Sequence, residues 1–294
     1  MTITGLHVLT SSTDATSTTS YEYFRNEGIK QSENDPLKNL VPGNLGLHAD
    51  SVGHLAIGYG YDLYARSAAT SAATLAPYLV SGTTITARQI AYLEALRTGT
   101  ALALTGDPLD NKIPTRQQVS DAWSNVTLAS EVKATELLNA VAATFESKIS
   151  SSLLGNSKER AAVISATYNV GGLGAMPKLQ AALESDNRAE AWFEIRYNLN
   201  GGTSESQGIA NRRYRESNLL GLYGDPATLT DDQKIAESKN VVRVLDEHAV
   251  KITQEETQYP PASNADLVVN QIRPSVDMLI SKFGLGQTFD GKVL

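Results

Sequence analysis

Apolar residues recur at helical spacing along most of this chain and at alternate positions in one short stretch. Over residues 129–149, Leu138, Val141, Phe145 and Ile149 share one helical face in a run rich in Ala, Glu and Leu, which predicts a helix. Tyr21, Phe24 and, past Gly28, Ile29 line another face, and Gly28 is where that helix is expected to end or turn. A helix after Asn156 pairs Asn156 with Glu159 in a capping-box-like spacing and stops at Gly171 and Gly172. Ser185 and Asp186 are expected to cap a helix that carries Trp192, Ile195 and Tyr197, and residues 208–223 form another, ended by Gly221 or Gly224. Further helices are predicted around 87–97, in 231–252 and, after the breaker Tyr-Pro-Pro-Ala-Ser-Asn, around 267–283. The exception is residues 54–63, where Leu55, Ile57, Tyr59, Tyr61 and Leu63 alternate with His54, Ala56, Gly58, Gly60 and Asp62, the period of a strand. These elements predict a mostly helical α+β protein.

The polar run at residues 11–20 has too little apolar surface to repay its ordering, so residues 1–20 are expected to be a flexible leader. Residues 21–224 follow as the main domain, with an inserted helical segment at about 65–111, and residues 225–294 as a helical extension with a loose end. No internal repeat of fixed period is present. With 294 residues, 41% of them hydrophobic and 19% charged, the chain is long and apolar enough to build a core. A net charge of −7 is the wrong sign for gripping nucleic-acid phosphates. Residues 225–294 hold 7 basic and 11 acidic residues, so the extension is proportionally the more acidic part. The absence of cysteine excludes disulfides, thiolate nucleophiles and cysteine-based metal sites. No apolar run is long enough to span a membrane, and no secretory signal is readable.

His7, His48, His54 and His248 show no metal-ligand spacing, and no P-loop, nucleophile elbow or dinucleotide fingerprint occurs, so neither metal nor organic cofactor is called for. What remains is Glu27 at a helix, followed by Asp50 in a loop and Asp62 in the strand. Glycoside hydrolysis needs one carboxylic acid to protonate the leaving oxygen and a second carboxylate to activate water or support the cationic sugar.

The string Glu27-Gly28, then Asp50-Ser-Val-Gly-His-Leu-Ala-Ile-Gly-Tyr-Gly60, resembles the phage-type lysozymes of glycoside hydrolase family 24. Their signature is a Glu-Gly helix end followed by a hairpin of the form D-x-x-G-x-x-T-I-G-x-G; Asp50, Gly53, Ile57, Gly58 and Gly60 fall on its spacing. Residues 164–172, Ile-Ser-Ala-Thr-Tyr-Asn-Val-Gly-Gly, are similar to the family's apolar helix ending in Tyr-Asn-x-Gly, and residues 208–223 to its terminal arginine-rich helix. The resemblance extends from about Tyr21 to Gly224. It implies a lysozyme-like fold, with a small β-hairpin lobe and a helical lobe flanking a cleft. It also implies hydrolysis of the β-1,4 bond between N-acetylmuramic acid and N-acetylglucosamine in peptidoglycan, with inversion.

By the same resemblance Glu27 is the general acid, Asp50 the second carboxylate, and Arg212 or Arg213 a partner of Glu27. Tyr168 and Asn169 would support the helix end and the floor of the cleft, while Tyr59 and Tyr61 fall on the apolar face expected to be core. Three departures bear on this. The family's threonine is Ala56, 22 residues separate Glu27 from Asp50, and the hairpin continues as Gly-Tyr-Gly-Tyr-Asp-Leu. That last string is similar to the pesticin-like bacteriocins, whose second carboxylate would be Asp62, on the same face as Ala56. Asp50 and Asp62 therefore both stand as second carboxylate. A catalytically silent wall-binding or phage structural module is the alternative function. A toxin or effector whose extension serves delivery or immunity binding is a third. Endolysin, virion-associated, bacteriocin and effector settings all place the action at the cell wall and leave the export route, and any holin, immunity or delivery partner, open.

Overall fold

The computed structural model describes residues 3–11, 20–33, 45–49, 54–199 and 206–284, and the backbone of 288–289 and 292–293. Its elements in chain order are helix α1 (Tyr21–Glu33), strands β1 (Leu47–Ala49), β2 (Leu55–Ile57) and β3 (Tyr61–Asp62), and helices α2 (Ala68–Leu75), α3 (Ala87–Thr98), α4 (Arg116–Ala122) and α5 (Glu131–Glu146). These are followed by α6 (Lys158–Val170), α7 (Pro177–Glu184), α8 (Arg188–Phe193), α9 (Gln207–Leu220), α10 (Asp231–Glu247), α11 (Ala249–Gln258), α12 (Val268–Gln271) and α13 (Arg273–Phe283). α8 runs directly into a π-helical turn at Glu194–Asn198. Strands β4 (Thr288–Phe289) and β5 (Lys292–Val293) pair antiparallel near the C-terminus. No helix among the described residues is long and apolar enough to cross a membrane. The protein is thus α+β and mostly helical. It divides into two compact units, Ile29–Thr144 and the discontinuous pair Met1–Gly28 with Phe145–Leu294.

In the first unit β1, β2 and β3 form one antiparallel sheet in that order. The stretch expected to be a single strand is a hairpin, because Gly58 and Gly60 adopt φ of +61° and +74° and reverse the chain at residues 58–60. Period-two alternation alone cannot distinguish one strand of ten residues from two short strands whose turn preserves the parity. Pairing sets Ala56 directly across from Asp62, so the two do share a face, through cross-strand register. Burial does not alternate, since Leu55, Ala56 and Ile57 are all buried. Below the hairpin Trp123, Leu93, Leu75 and Leu128 are buried, and the Trp123 indole donates to the Gln89 carbonyl at 2.9 Å. Thr86 with Gln89 and Thr115 with Gln118 make capping boxes that start α3 and α4.

The second unit is built on α6, whose residues Glu159–Thr167 are buried on every side. Its N-cap is Ser157, which accepts from the Arg160 N–H, rather than Asn156 as the sequence spacing suggests. Likewise Asn187, not Ser185 or Asp186, caps α8; Asp186 itself holds φ +56° and takes hydrogen bonds from Thr4. Gly171 at φ +89° ends α6 and Gly221 ends α9, as expected. The predicted helix at 231–252 breaks at His248, which separates α10 from α11 and stacks on Phe193 with ring centroids 3.6 Å apart. Of the proposed leader, residues 3–11 pack on this unit, with Ile3 buried and the His7 N–H donating to Glu159; residues 12–19 lie outside the described residues.

The extension belongs to the same unit. Arg196, 1% exposed, lies over the rings of Trp192 and Tyr214 at 4.7 and 4.3 Å. It also donates to Ser217 Oγ at 2.9 Å and to the carbonyl of Asp266 in the extension. Tyr214 donates to the Tyr259 carbonyl and Tyr197 to Glu256, so residues 225–294 complete hydrogen bonds that begin in the core.

Candidate active site

Glu27 lies half-buried on α1, and Gly28 beside it does not end the helix, which continues through Glu33. Glycine in a helix interior costs only about 1 kcal/mol, an amount that packing readily overrides. A Cβ at Gly28 would lie 3.6 Å from Leu219 Cδ2 and 3.7 Å from Ser165 Cβ, so the Glu-Gly step is seated against α6 and α9. Just before it Arg25 donates to Glu146 Oε1 at 2.8 Å, and Tyr21 donates to the same oxygen at 2.7 Å.

Behind Gly28 the two arginines of α9 meet the carboxylate of Glu216 on the same helix. Arg212 Nε donates to Glu216 Oε1 at 2.9 Å, and Arg213 Nη1 donates to Glu216 Oε2. Ser165 Oγ donates to the same carboxylate at 2.9 Å, while the Ser165 carbonyl accepts from Arg212 Nη2 at 3.1 Å. Arg213 Nη2 reaches Asn169 Oδ1, tying the Tyr-Asn-x-Gly end of α6 into the network. Glu216 stands four residues after Arg212 and three after Arg213, a spacing at which helical side chains are neighbours. That signal is legible in the sequence.

Burial pushes the Glu216 carboxyl up, but the charges of Arg212 and Arg213 outweigh it and hold the group below the usual carboxylate range. Glu159, between Arg188 and His7, is lowered against its burial in the same way. A group whose folded pKa is depressed contributes stability that is present above its unfolded pKa and lost as pH falls through the folded value. Glu216→Gln is expected to cost about 3–5 kcal/mol at pH 7, because it leaves two buried guanidinium groups uncompensated. Its urea midpoint should then decline less than that of the wild type between about pH 5 and pH 2; an equal decline in both would show that Glu216 does not drive the acid response.

In the other unit Asp62 Oδ1 accepts from the Tyr64 N–H at 2.6 Å, and its second oxygen lies 3.7 Å from His54 Nδ1. The Asp62 side chain is 38% exposed, and the His54 ring stacks on Tyr64. Ala56, across from it, brings no hydroxyl to this face. Asp50 follows β1 directly and lies outside the described residues. Tyr59 is only 2% exposed, which removes its ring as a platform for sugar stacking. It supports the hairpin instead. Tyr59 Oη donates to Glu131 Oε1 at 2.9 Å, and that oxygen also takes Lys30 Nζ at 2.7 Å and Thr135 Oγ1 at 2.9 Å. Burial acts to raise Glu131, but these three donors and the lysine charge keep it low. Tyr61 is equally buried, so both tyrosines are core, as the alternation implied. No cluster of His, Asp or Glu suited to a metal ion occurs among the described residues.

Comparison with known proteins yields one family. Residues 112–216 match the phage lysozyme family, a span that runs from just before α4 to Glu216 and takes in Asn169, Arg212 and Arg213. Glu27, Asp50, Ala56, Tyr59 and Asp62 lie outside it and rest on the motif alone. No curated protein and no solved structure matches the chain. Over residues 112–216 this mostly helical α+β chain with its three-stranded sheet is thus similar to the phage lysozymes.

Proposed function

We propose that this protein is a muramidase that cleaves the β-1,4 bond between N-acetylmuramic acid and N-acetylglucosamine of peptidoglycan, with Glu27 as general acid. The observation that carries the proposal is the seating of Glu27-Gly28 against Ser165 and α9, within the helices that match the phage lysozyme family. Glu27 donates its proton to the glycosidic oxygen as the C–O bond breaks, and the second carboxylate takes a proton from the attacking water. Arg212 or Arg213 serves as the cation that orients Glu27, in addition to its bond to Glu216.

Asp50 and Asp62 both remain candidates for the second carboxylate. Asp62 is supported by its register opposite Ala56, where the family's threonine would stand, and Asp50 by its place in the family spacing. The phage branch of the family favours inversion. The test is release of muropeptides from purified peptidoglycan by the wild type, Asp50→Asn and Asp62→Asn, with the anomer of the new reducing end followed by NMR. Loss of roughly 10²-fold or more in one aspartate variant assigns the second carboxylate. Failure of the wild type to release reducing-end muramic acid, on substrate that a control lysozyme digests, would favour the silent wall-binding module.

A further inference from the structure

Register in the three-stranded sheet gathers side chains that lie apart along the chain. Ala56 pairs with His48 of β1 on one side and with Asp62 of β3 on the other, so the three form a row across one face. His54 stands two residues before Ala56 and falls on the same face by the period of a strand. The Leu63 N–H donates to the Leu55 carbonyl at 3.0 Å, which carries the β2–β3 ladder one step further and brings His54 opposite Tyr64. Their rings stack with centroids 4.8 Å apart and planes 7° from parallel. The Tyr64 N–H also holds Asp62 through Oδ1 at 2.6 Å. One residue thus fixes both neighbours, the imidazole by its ring and the carboxylate by its amide. Between them Asp62 Oδ2 faces His54 Nδ1 at 3.7 Å, and the two side chains are 38% and 47% exposed.

A separation of 3.7 Å is too long for a direct hydrogen bond, yet short enough for one water to bond both atoms at once. An ionised carboxylate accepts, and so does Nδ1 of a neutral imidazole whose proton sits on Nε2. A water there donates one hydrogen to each and turns its lone pairs outward, as attack on a sugar carbon requires. Ala56, where the family's threonine would stand, brings no hydroxyl to this task. We propose that His54 takes it over and holds the attacking water against Asp62, which makes Asp62 the second carboxylate. This rests on the muramidase reading above. As the water oxygen bonds the anomeric carbon, one of its protons passes to Asp62 Oδ2 and the hydrogen held by His54 stays on the new hydroxyl. The glycosidic C–O bond breaks, and the proton of Glu27 goes to the leaving oxygen. An imidazolium offers no acceptor and takes Asp62 as its own counter-ion, so protonation of His54 stops the step. Around the same hairpin also stand His48, with Nδ1 3.4 Å from the Gly46 carbonyl, Arg66 over the Tyr61 ring, and Glu33, set so closely on Gly60 that a Cβ there would lie 2.5 Å from Oε2. Histidine is the side chain that ordinarily changes charge between about pH 5 and pH 8, so His48 is the control.

The experiment is steady-state hydrolysis of soluble uncrosslinked peptidoglycan strands by the full chain, from about pH 5 to pH 8. Wild type is compared with Asp50→Asn, Asp62→Asn, His54→Ala, His54→Asn and His48→Asn. Asparagine keeps an acceptor in the place of Nδ1 and does not titrate. His54→Ala is expected to lower kcat at least about tenfold with KM within about twofold, as loss of one positioning contact implies. His54→Asn should keep most of kcat at pH 7 and lack the acid-side fall in kcat that wild type and His48→Asn share. A wild type without that fall, a His54→Asn that keeps it, or a His54→Ala with wild-type kcat overturns the role of His54. Full activity in Asp62→Asn with loss in Asp50→Asn overturns it too and leaves the muramidase standing. A wild type inactive on strands that a control lysozyme digests overturns the muramidase, and His54 with it. His54 is exposed, so its variants are expected to fold, and thermal melts are recorded beside the rates. If one does not fold, the nitrogen NMR shifts of the wild-type imidazole at pH 7 decide: an unprotonated Nδ1 keeps the proposal, and an Nδ1–H tautomer overturns it.

Discussion

Glu27→Gln is expected to lower muropeptide release by about 10²–10⁴-fold, the usual contribution of a general acid. Glutamine keeps the length and planarity of the side chain but carries no proton that a glycosidic oxygen can take. The residue is half-buried on a helix whose neighbouring positions pack against α6 and α9, so the melt of the variant is recorded beside its activity. Loss of activity with an intact melt and unchanged wall binding assigns Glu27 to the chemistry. If the glutamine variant clears peptidoglycan at the wild-type rate, Glu27 is not the acid, and the proposed mechanism is wrong at its first step.

A chain ending at Gly224 should fail to fold its larger unit. Val241, Val244, Leu245, Ile252 and Leu279 are all at most 4% exposed. Each contributes about 1.5–3 kcal/mol when buried, against a total stability of only about 5–15 kcal/mol for a typical domain. The cut also strips Arg196 of the Asp266 carbonyl and of Glu256, 3.9 Å away, and leaves the Tyr197 and Tyr214 hydroxyls without these acceptors. Circular dichroism should show no cooperative melt for that unit, and hydrolysis should be lost with it. A soluble, active truncated protein would instead make residues 225–294 a separable appendage, in keeping with their acidic composition.

Much of the architecture is legible in the chain itself. The helical faces around Leu138 and Val141 and the glycine stops at 171 and 221 follow from local chemistry, whereas the local pattern at residues 54–63 gave one strand and only the family motif implied a hairpin. Sequence and structure part where two local signals compete or where a distant partner decides. Asn156 and Ser157 are both good caps, and the backbone takes Ser157, where the bridge from Val8 lands. Gly28 reads as a stop, yet its contacts with Ser165 and Leu219 come from more than 130 residues away. The role of Tyr59 depends on Glu131, 72 residues on. The partnership of Arg212 and Arg213 with Glu216 is readable from spacing and is eclipsed by the family's expectation for Glu27.

The discontinuity of the larger unit bears on how the protein is made. Residues 29–144 form a compact unit from one uninterrupted stretch and can fold while the nascent chain is still emerging from the ribosome. Residues 1–28 must wait for Phe145 onward, and the cage around Arg196 closes only when Asp266 has been synthesised. Such long-range closure is slow compared with local contacts. The larger unit is therefore completed only once Asp266 has emerged, whereas residues 29–144 by then need nothing more of the chain.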